Sequence, residues 1–167
     1  MRILLVSAYE LGHQPLHVAS PAAALRAAGH EVVCLDTSVQ SWDEEAVEWA
    51  EVVGFSVPMH TAMRLGMAAA RAVKQVRPEL PVVFYGLYAP VSRDLAVGRL
   101  ADRVLAGQYE PALVSWVETL AGGAPPAAPA GAPAVVLDRT HHQLPARDLL
   151  PPLERYARLA VDGEHHL

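Results

Sequence analysis

The most unusual stretch of the chain is Tyr9-Glu10-Leu11-Gly12-His13-Gln14-Pro15-Leu16-His17. His13 and His17 stand four apart, the spacing of two metal ligands on one helix face. Pro15 lies between them and argues against a helix there, so no protein-ligated metal is expected. Gly12 either lets backbone approach a ligand or simply supplies a positive φ. A second polar stretch, Ser56-Val57-Pro58-Met59-His60, contains a Ser–His pair that invites a hydrolase reading. No third group supports that pair, and Ser56 is expected to bond to local backbone at a strand end. No catalytic residue is assigned, and the chain by itself is expected to turn nothing over.

Several other chemistries lack their motifs. Only Gly12 remains of a Gly-x-Gly-x-x-Gly fingerprint, which excludes NAD, and neither a Walker loop nor a Gly-x-Ser-x-Gly elbow occurs. Cys34 is the sole cysteine, so the chain holds neither a disulfide framework nor a complete thiolate-ligated zinc or iron–sulfur site. His30 follows Gly29 at a helix end, where the dipole favours a cation. The pairs His141-His142 and His165-His166 read as surface residues, and Trp42, Trp49 and Trp116 as helix-to-sheet core.

The elements that must position these residues follow from apolar runs and their punctuation. Continuous apolar runs at residues 2–6, 31–35, 52–57, 81–85 and 103–106 predict five strands buried on both faces. Helices are expected between them: Pro21 to Ala28 with Ser20 as cap, Trp42 to Ala50 behind Ser41, Thr61 to about Arg77, Ser92 to Gly98, and Pro111 to Leu120. Strands alternating with helices across short crossovers give an α/β fold, a parallel doubly wound, flavodoxin-like sheet with helices on both faces. The expected order is 2-1-3-4-5, with the switch point between strands one and three and Ser7, Tyr9, Ser56 and Pro58 lining one crevice. Four loops then meet at the carboxyl ends of the strands: residues 7–17, 56–61, 85–90 and 107–110.

The 167 residues suit one domain, with 13 basic against 18 acidic side chains and a net charge of −5. No basic run serves nucleic acid, and no apolar run approaches the roughly 20 residues of a membrane span. The expectation is a soluble, cytoplasmic protein. Composition changes at Gly122. Residues 1–121 form the α/β domain, 122–133 a linker of Gly, Ala and Pro alone, and 134–167 a C-terminal extension. Within it, Ala134 to Leu137 is a candidate edge strand and Glu154 to Ala160 one or two helical turns, while Leu149, Leu150, Leu153 and Tyr156 should pack on the domain. The end at Gly163-Glu164-His165-His166-Leu167 reads as cut.

In order, Arg2-Ile-Leu-Leu-Val, Pro21-Ala-Ala-Ala-Leu-Arg-Ala-Ala-Gly-His-Glu-Val with Asp36, Val53-Gly-Phe-Ser-Val, Leu80-Pro-Val-Val-Phe-Tyr-Gly, Ala101-Asp-Arg-Val-Leu-Ala-Gly-Gln-Tyr-Glu and Leu144-Pro-Ala-Arg-Asp-Leu-Leu span nearly the whole chain. This series resembles the N-terminal cobalamin-binding domain of cobalamin-dependent radical S-adenosylmethionine proteins. The phrases Tyr9-Glu-Leu-Gly-His-Gln-Pro-Leu-His and Ser56-Val-Pro-Met-His-Thr-Ala-Met-Arg narrow the resemblance to the group named for a Cys/selenocysteine-Ala-Glu-Pro tail. The resemblance implies cobalamin held by Ser7, Tyr9, Gly12, His13 and Gln14, by Ser56, Pro58, Met59 and His60, by Tyr85 and Gly86, and by Gly107, Gln108 and Glu110. It also implies an iron–sulfur barrel with a four-iron four-sulfur cluster and S-adenosylmethionine beyond the last residue. The chain's own barrel and a peptide or small-molecule substrate would be its partners.

Three departures shape that implication. No Asp-x-His-x-x-Gly supplies an axial histidine, so the corrin is expected without a protein histidine ligand. Tyr85-Gly86 stands where the family tends to Gly-Gly, which puts a ring either at the rim in the path of a nucleotide tail or turned down into helix packing. Gly107-Gln108-Tyr109-Glu110 stands where it tends to Gly-Glu-x-Glu. The alternative is a cofactor-free α/β domain that docks a peptide or its own barrel.

Overall fold

A computed structural model describes residues 1–92, 99–123, 134–136, 143–161 and 164–166. The expected helix over Ser92 to Gly98, most of the expected linker, and His141 and His142 lie outside the described residues. Strands β1 (Arg2–Ser7), β2 (Glu31–Asp36), β3 (Val52–Ser56), β4 (Val82–Tyr85) and β5 (Arg103–Gly107) form where the apolar runs place them. They pair in parallel in the order β2-β1-β3-β4-β5, as expected from the sequence, and β6 (Ala134–Val136) adds a sixth parallel strand beside β5. A short antiparallel pair, β7 (Leu159–Val161) and β8 (Glu164–His166), stands apart from the sheet. It replaces the helical turns expected at Glu154 to Ala160, of which one 3-10 turn at Leu153–Arg155 remains.

Among the described residues, four α-helices cover the sheet: α1 (Leu16–Ala27), α2 (Glu44–Trp49), α3 (His60–Val76) and α4 (Tyr109–Ala121). Strand alternation divides the core into two layers. Leu4, Val6, Val53, Phe55, Phe84 and Met63 fill the α2/α3 side. Leu5, Val18, Ala22, Val83, Tyr85, Leu105, Leu113 and Trp116 fill the α1/α4 side. Both layers hold fully buried side chains, which is why the strands read as unbroken apolar runs.

Helix starts differ from expectation in ways that matter at the carboxyl end. The first helix begins at Leu16 rather than Pro21, because Pro15 supplies the entry geometry and the Glu10 carboxylate accepts the Leu16 N–H at 3.1 Å. Pro21 therefore lies inside α1, where it lacks the N–H that would bond the His17 carbonyl. The α2 cap is Asp43, not Ser41, since the Asp43 carboxylate accepts the Ala46 N–H at 2.9 Å. His60 opens α3 one residue before Thr61, and Tyr109 opens α4 two residues before Pro111. His60, Tyr109 and Glu110 thus sit in first helical turns instead of loops.

Candidate functional site

Parallel register brings one residue from each of four strands into line at the carboxyl edge. Asp36 of β2 is opposite Ser7 of β1, Ser7 is opposite Ser56 of β3, and Ser56 is opposite Tyr85 of β4. The row lies on the α1/α4 face, in phase with Cys34, Leu5, Gly54 and Val83 two residues back. All four are buried. Asp36 Oδ1 accepts from the Ser38 N–H and hydroxyl, which closes the turn after β2. The Tyr156 hydroxyl faces the Asp36 carboxylate, whereas the Ser56 and Tyr85 hydroxyls have no hydrogen-bond partner among the described residues. Glu10 Oε2 shares that condition, so three such buried atoms among the described residues lie at or above this edge. Unmatched buried polar groups cost about 1–3 kcal/mol each unless a ligand or water meets them.

Loops and helix starts from four crossovers surround the row. Glu10 Oε1 binds His17 Nδ1 at 2.8 Å as well as capping α1. That bond, helped by the charges of Glu10 and Glu110 and opposed by burial, raises the His17 pKa above its ordinary value. Ser20 donates to Glu110 Oε1 at 2.9 Å, tying α1 to α4. His13 and His60 are exposed, and His60 meets the Tyr88 ring edge-on at 5.8 Å. Tyr9, Pro58, Met59 and Gln108 are half-buried, and Gly107 is exposed. Gly86 keeps a positive φ of 114°, and a Cβ there would fall 2.9 Å from the Val57 carbonyl oxygen. Its glycine is required by the chain's own packing.

Gly12 and Gln14 are engaged elsewhere. The segment 143–158 crosses the outer side of the β1–α1 loop as a strap. The Ala157 N–H donates to the Gly12 carbonyl, Gln14 Nε2 donates to the Pro151 carbonyl, and Arg147 donates to Gln14 Oε1. Arg155 reaches the Val39 carbonyl and the Ala146 N–H reaches that of Ala19. The positive φ of Gly12 and its close approach to Ala157 answer the question the sequence left open. Leu150 and Tyr156 are buried and Leu149 packs on the core, as expected, whereas Leu153 stays half-exposed. Burial, and Asp36 beside it, push the Tyr156 phenol up. Nothing in the sequence signalled Asp36, Glu10, His17 or Tyr156 as partners in this arrangement.

One further expectation is corrected. The Tyr85 ring is not at the rim: it is wholly buried beneath it, 4.9 Å from the Tyr109 ring, because β4 turns this residue onto the face covered by α1 and α4. His30, read as structural, lies 3.3 Å from the N-terminal ammonium through Nδ1, and burial and that ammonium lower its pKa. Burial also pushes the Cys34 thiol up to about 12, which leaves it inert. No cluster of three or more His, Cys, Asp or Glu side chains suited to a metal occurs among the described residues.

The B12 binding domain family matches residues 2–117, which include the whole carboxyl edge from Ser7 to Glu110. The chain belongs to that family. No curated protein is significantly similar to it. Among solved structures it is similar to a two-component response regulator of the LuxR family from Aurantimonas sp. SI85-9A1, at 18% identity and a TM-score of 0.50, over 74% of this chain and 86% of that one. That likeness concerns the fold alone. Among the described residues no helix is long and apolar enough to cross a membrane.

The B12 family implies a corrin with a nucleotide tail, and the two parts meet different surfaces here. The rim fits a flat, largely apolar ring: Leu11 and Leu87 stand exposed among Tyr9, Pro58, Met59 and Tyr88, with unmatched polar atoms behind them. The layer below the rim does not fit a tail, because Tyr85 already fills it.

Proposed function

We propose that this chain is the cobalamin-binding module of a radical S-adenosylmethionine enzyme, holding the corrin across the carboxyl ends of β1, β3, β4 and β5 without a protein histidine ligand. The observation that carries the reading is the concentration of unmatched buried polar atoms beneath an exposed apolar rim, in a chain of the B12 binding family. Tyr9, His13, Pro58, Met59, His60 and Gly107 would meet the ring, with Ser7, Ser56 and Gln108 behind them. The bound corrin supplies methyl transfer or radical chemistry, and the protein supplies orientation and exclusion of water. The absence of an axial histidine is supported by His17, whose Nδ1 is committed to Glu10 in the first turn of α1, and by His13, which no carboxylate orients among the described residues. The radical barrel, its cluster and S-adenosylmethionine rest on the sequence resemblance, as does a peptide or small-molecule substrate.

A second reading takes its support from the strap on Gly12 and Gln14 and from the filled layer at Tyr85. In it, the fold persists as a cofactor-free module that docks a peptide or its own barrel. Titration with hydroxocobalamin separates the two. Saturable change in the corrin absorbance, with colour retained through gel filtration, is expected of the first. An intact circular-dichroism spectrum with no change in corrin absorbance would establish the second.

A further inference from the structure

We infer that Tyr85 excludes the nucleotide tail from this domain, so that a corrinoid binds at the rim with its tail left outside the sheet–helix layer. The inference rests on the rim reading above. A nucleotide tail carries a bulky aromatic base, and a protein that buries it needs a slot of matching depth beside the sheet. Both layers beneath the rim are full. On the α2/α3 side, Phe55 and Phe84 stack at 5.3 Å over Val6, Val57 and Met63. On the α1/α4 side, the Tyr85 ring occupies the space between the floor made by Leu5, Gly54 and Val83 and the roof made by Tyr109 and Leu113.

The fit against the floor is tight. A Cβ added to Gly54 would fall 3.2 Å from Tyr85 Cε1 and 2.8 Å from Leu5 Cδ2. Leu5 and the Tyr85 ring both press on the space that a side chain at Gly54 would need, Leu5 the closer of the two. From above, the Tyr109 ring closes at a centroid distance of 4.9 Å with a tilt of 41°. Moving the ring aside would expose an aromatic surface on the order of 150 Å² and empty the layer it fills. A tail would have to displace it at that cost. The Tyr85 hydroxyl has no hydrogen-bond partner among the described residues.

The test compares two probes that share one corrin: hydroxocobalamin, which has the tail, and diaquocobinamide, which lacks it. The wild-type chain should bind both with dissociation constants within about threefold, since the tail makes no contact that contributes affinity. After reduction to the cobalt(II) state, bound cobalamin should keep its base on the metal, read by electron paramagnetic resonance as splitting from the base nitrogen. Tyr85→Gly should open the slot, favour cobalamin over cobinamide by about fivefold or more, and lose that splitting. Where Tyr85→Gly does not fold, the wild-type comparison and its spectrum decide alone. Cobalamin binding more than about tenfold tighter than cobinamide, with the base off the metal, would overturn the inference and leave the rim reading intact. Binding of neither probe to the folded chain would overturn the rim reading and this inference with it.

Discussion

Glu10 Oε1 accepts both the Leu16 N–H and the His17 ring, so one carboxylate oxygen starts α1 and fixes an imidazole beside the rim. Because the folded state raises the His17 pKa, its stabilising effect is complete below the ordinary value of 6.5 and fades as pH climbs through the higher folded value. The side chain is 35% exposed, so solvent screening holds the effect to about 0.5 kcal/mol. Urea unfolding at pH 6 and pH 8 should show wild type losing that margin over His17→Gln at the higher pH; an equal margin at both would refute the pairing. Tyr85 gives a sharper contrast. Tyr85→Gly should cost about 3–5 kcal/mol as a truncated buried aromatic, whereas Tyr85→Phe, which removes only an unmatched hydroxyl, should be neutral or stabilising. A marked drop in Tm for Tyr85→Phe would mean that the hydroxyl has a partner. In the sequence, Ser7 was legible as a strand-end residue because an apolar run stops there, and Ser56 because Pro58 follows it two residues on. The orientation of Tyr85 was not, because strand parity decides it only once the crossovers have assigned helices to faces.

At the level of elements, parallel order and the four converging crossovers followed from apolar runs separated by helix signals. The start of α1 did not, because its cap comes from Glu10, six residues upstream, rather than from a neighbouring Ser or Thr. The roles of Gly12 and Gln14 were hidden for a similar reason. Gln14 meets Pro151 across 137 positions of sequence, and no local pattern reports such a contact. Gln14→Ala removes a donor to the Pro151 carbonyl and the acceptor of Arg147, and should cost about 1–2 kcal/mol. Amide exchange at residues 146–157 should then quicken while β1 and β3 stay protected. Unchanged exchange there would show that Gln14 does not hold the strap.

Across the whole molecule, the carboxyl end carries most of the unmatched buried polar atoms, while the core behind it is closed by apolar packing in both layers. Such a division is what a small-molecule module needs: a rigid support and an edge with hydrogen-bonding capacity in reserve. With Cys34 its sole cysteine, the chain alone lacks the thiolates to hold an iron–sulfur cluster and is expected to leave S-adenosylmethionine unchanged; turnover by the purified chain would contradict this. The most direct measurement of the central claim is hydrogen exchange of the chain with and without saturating hydroxocobalamin. Slower exchange is predicted in residues 8–13, 57–61, 86–91 and 107–110, with the opposite end, at residues 29–31, 50–52 and 77–81, unaffected. Protection at that opposite end, or none at the four carboxyl-end segments, would contradict a corrin seated on this rim.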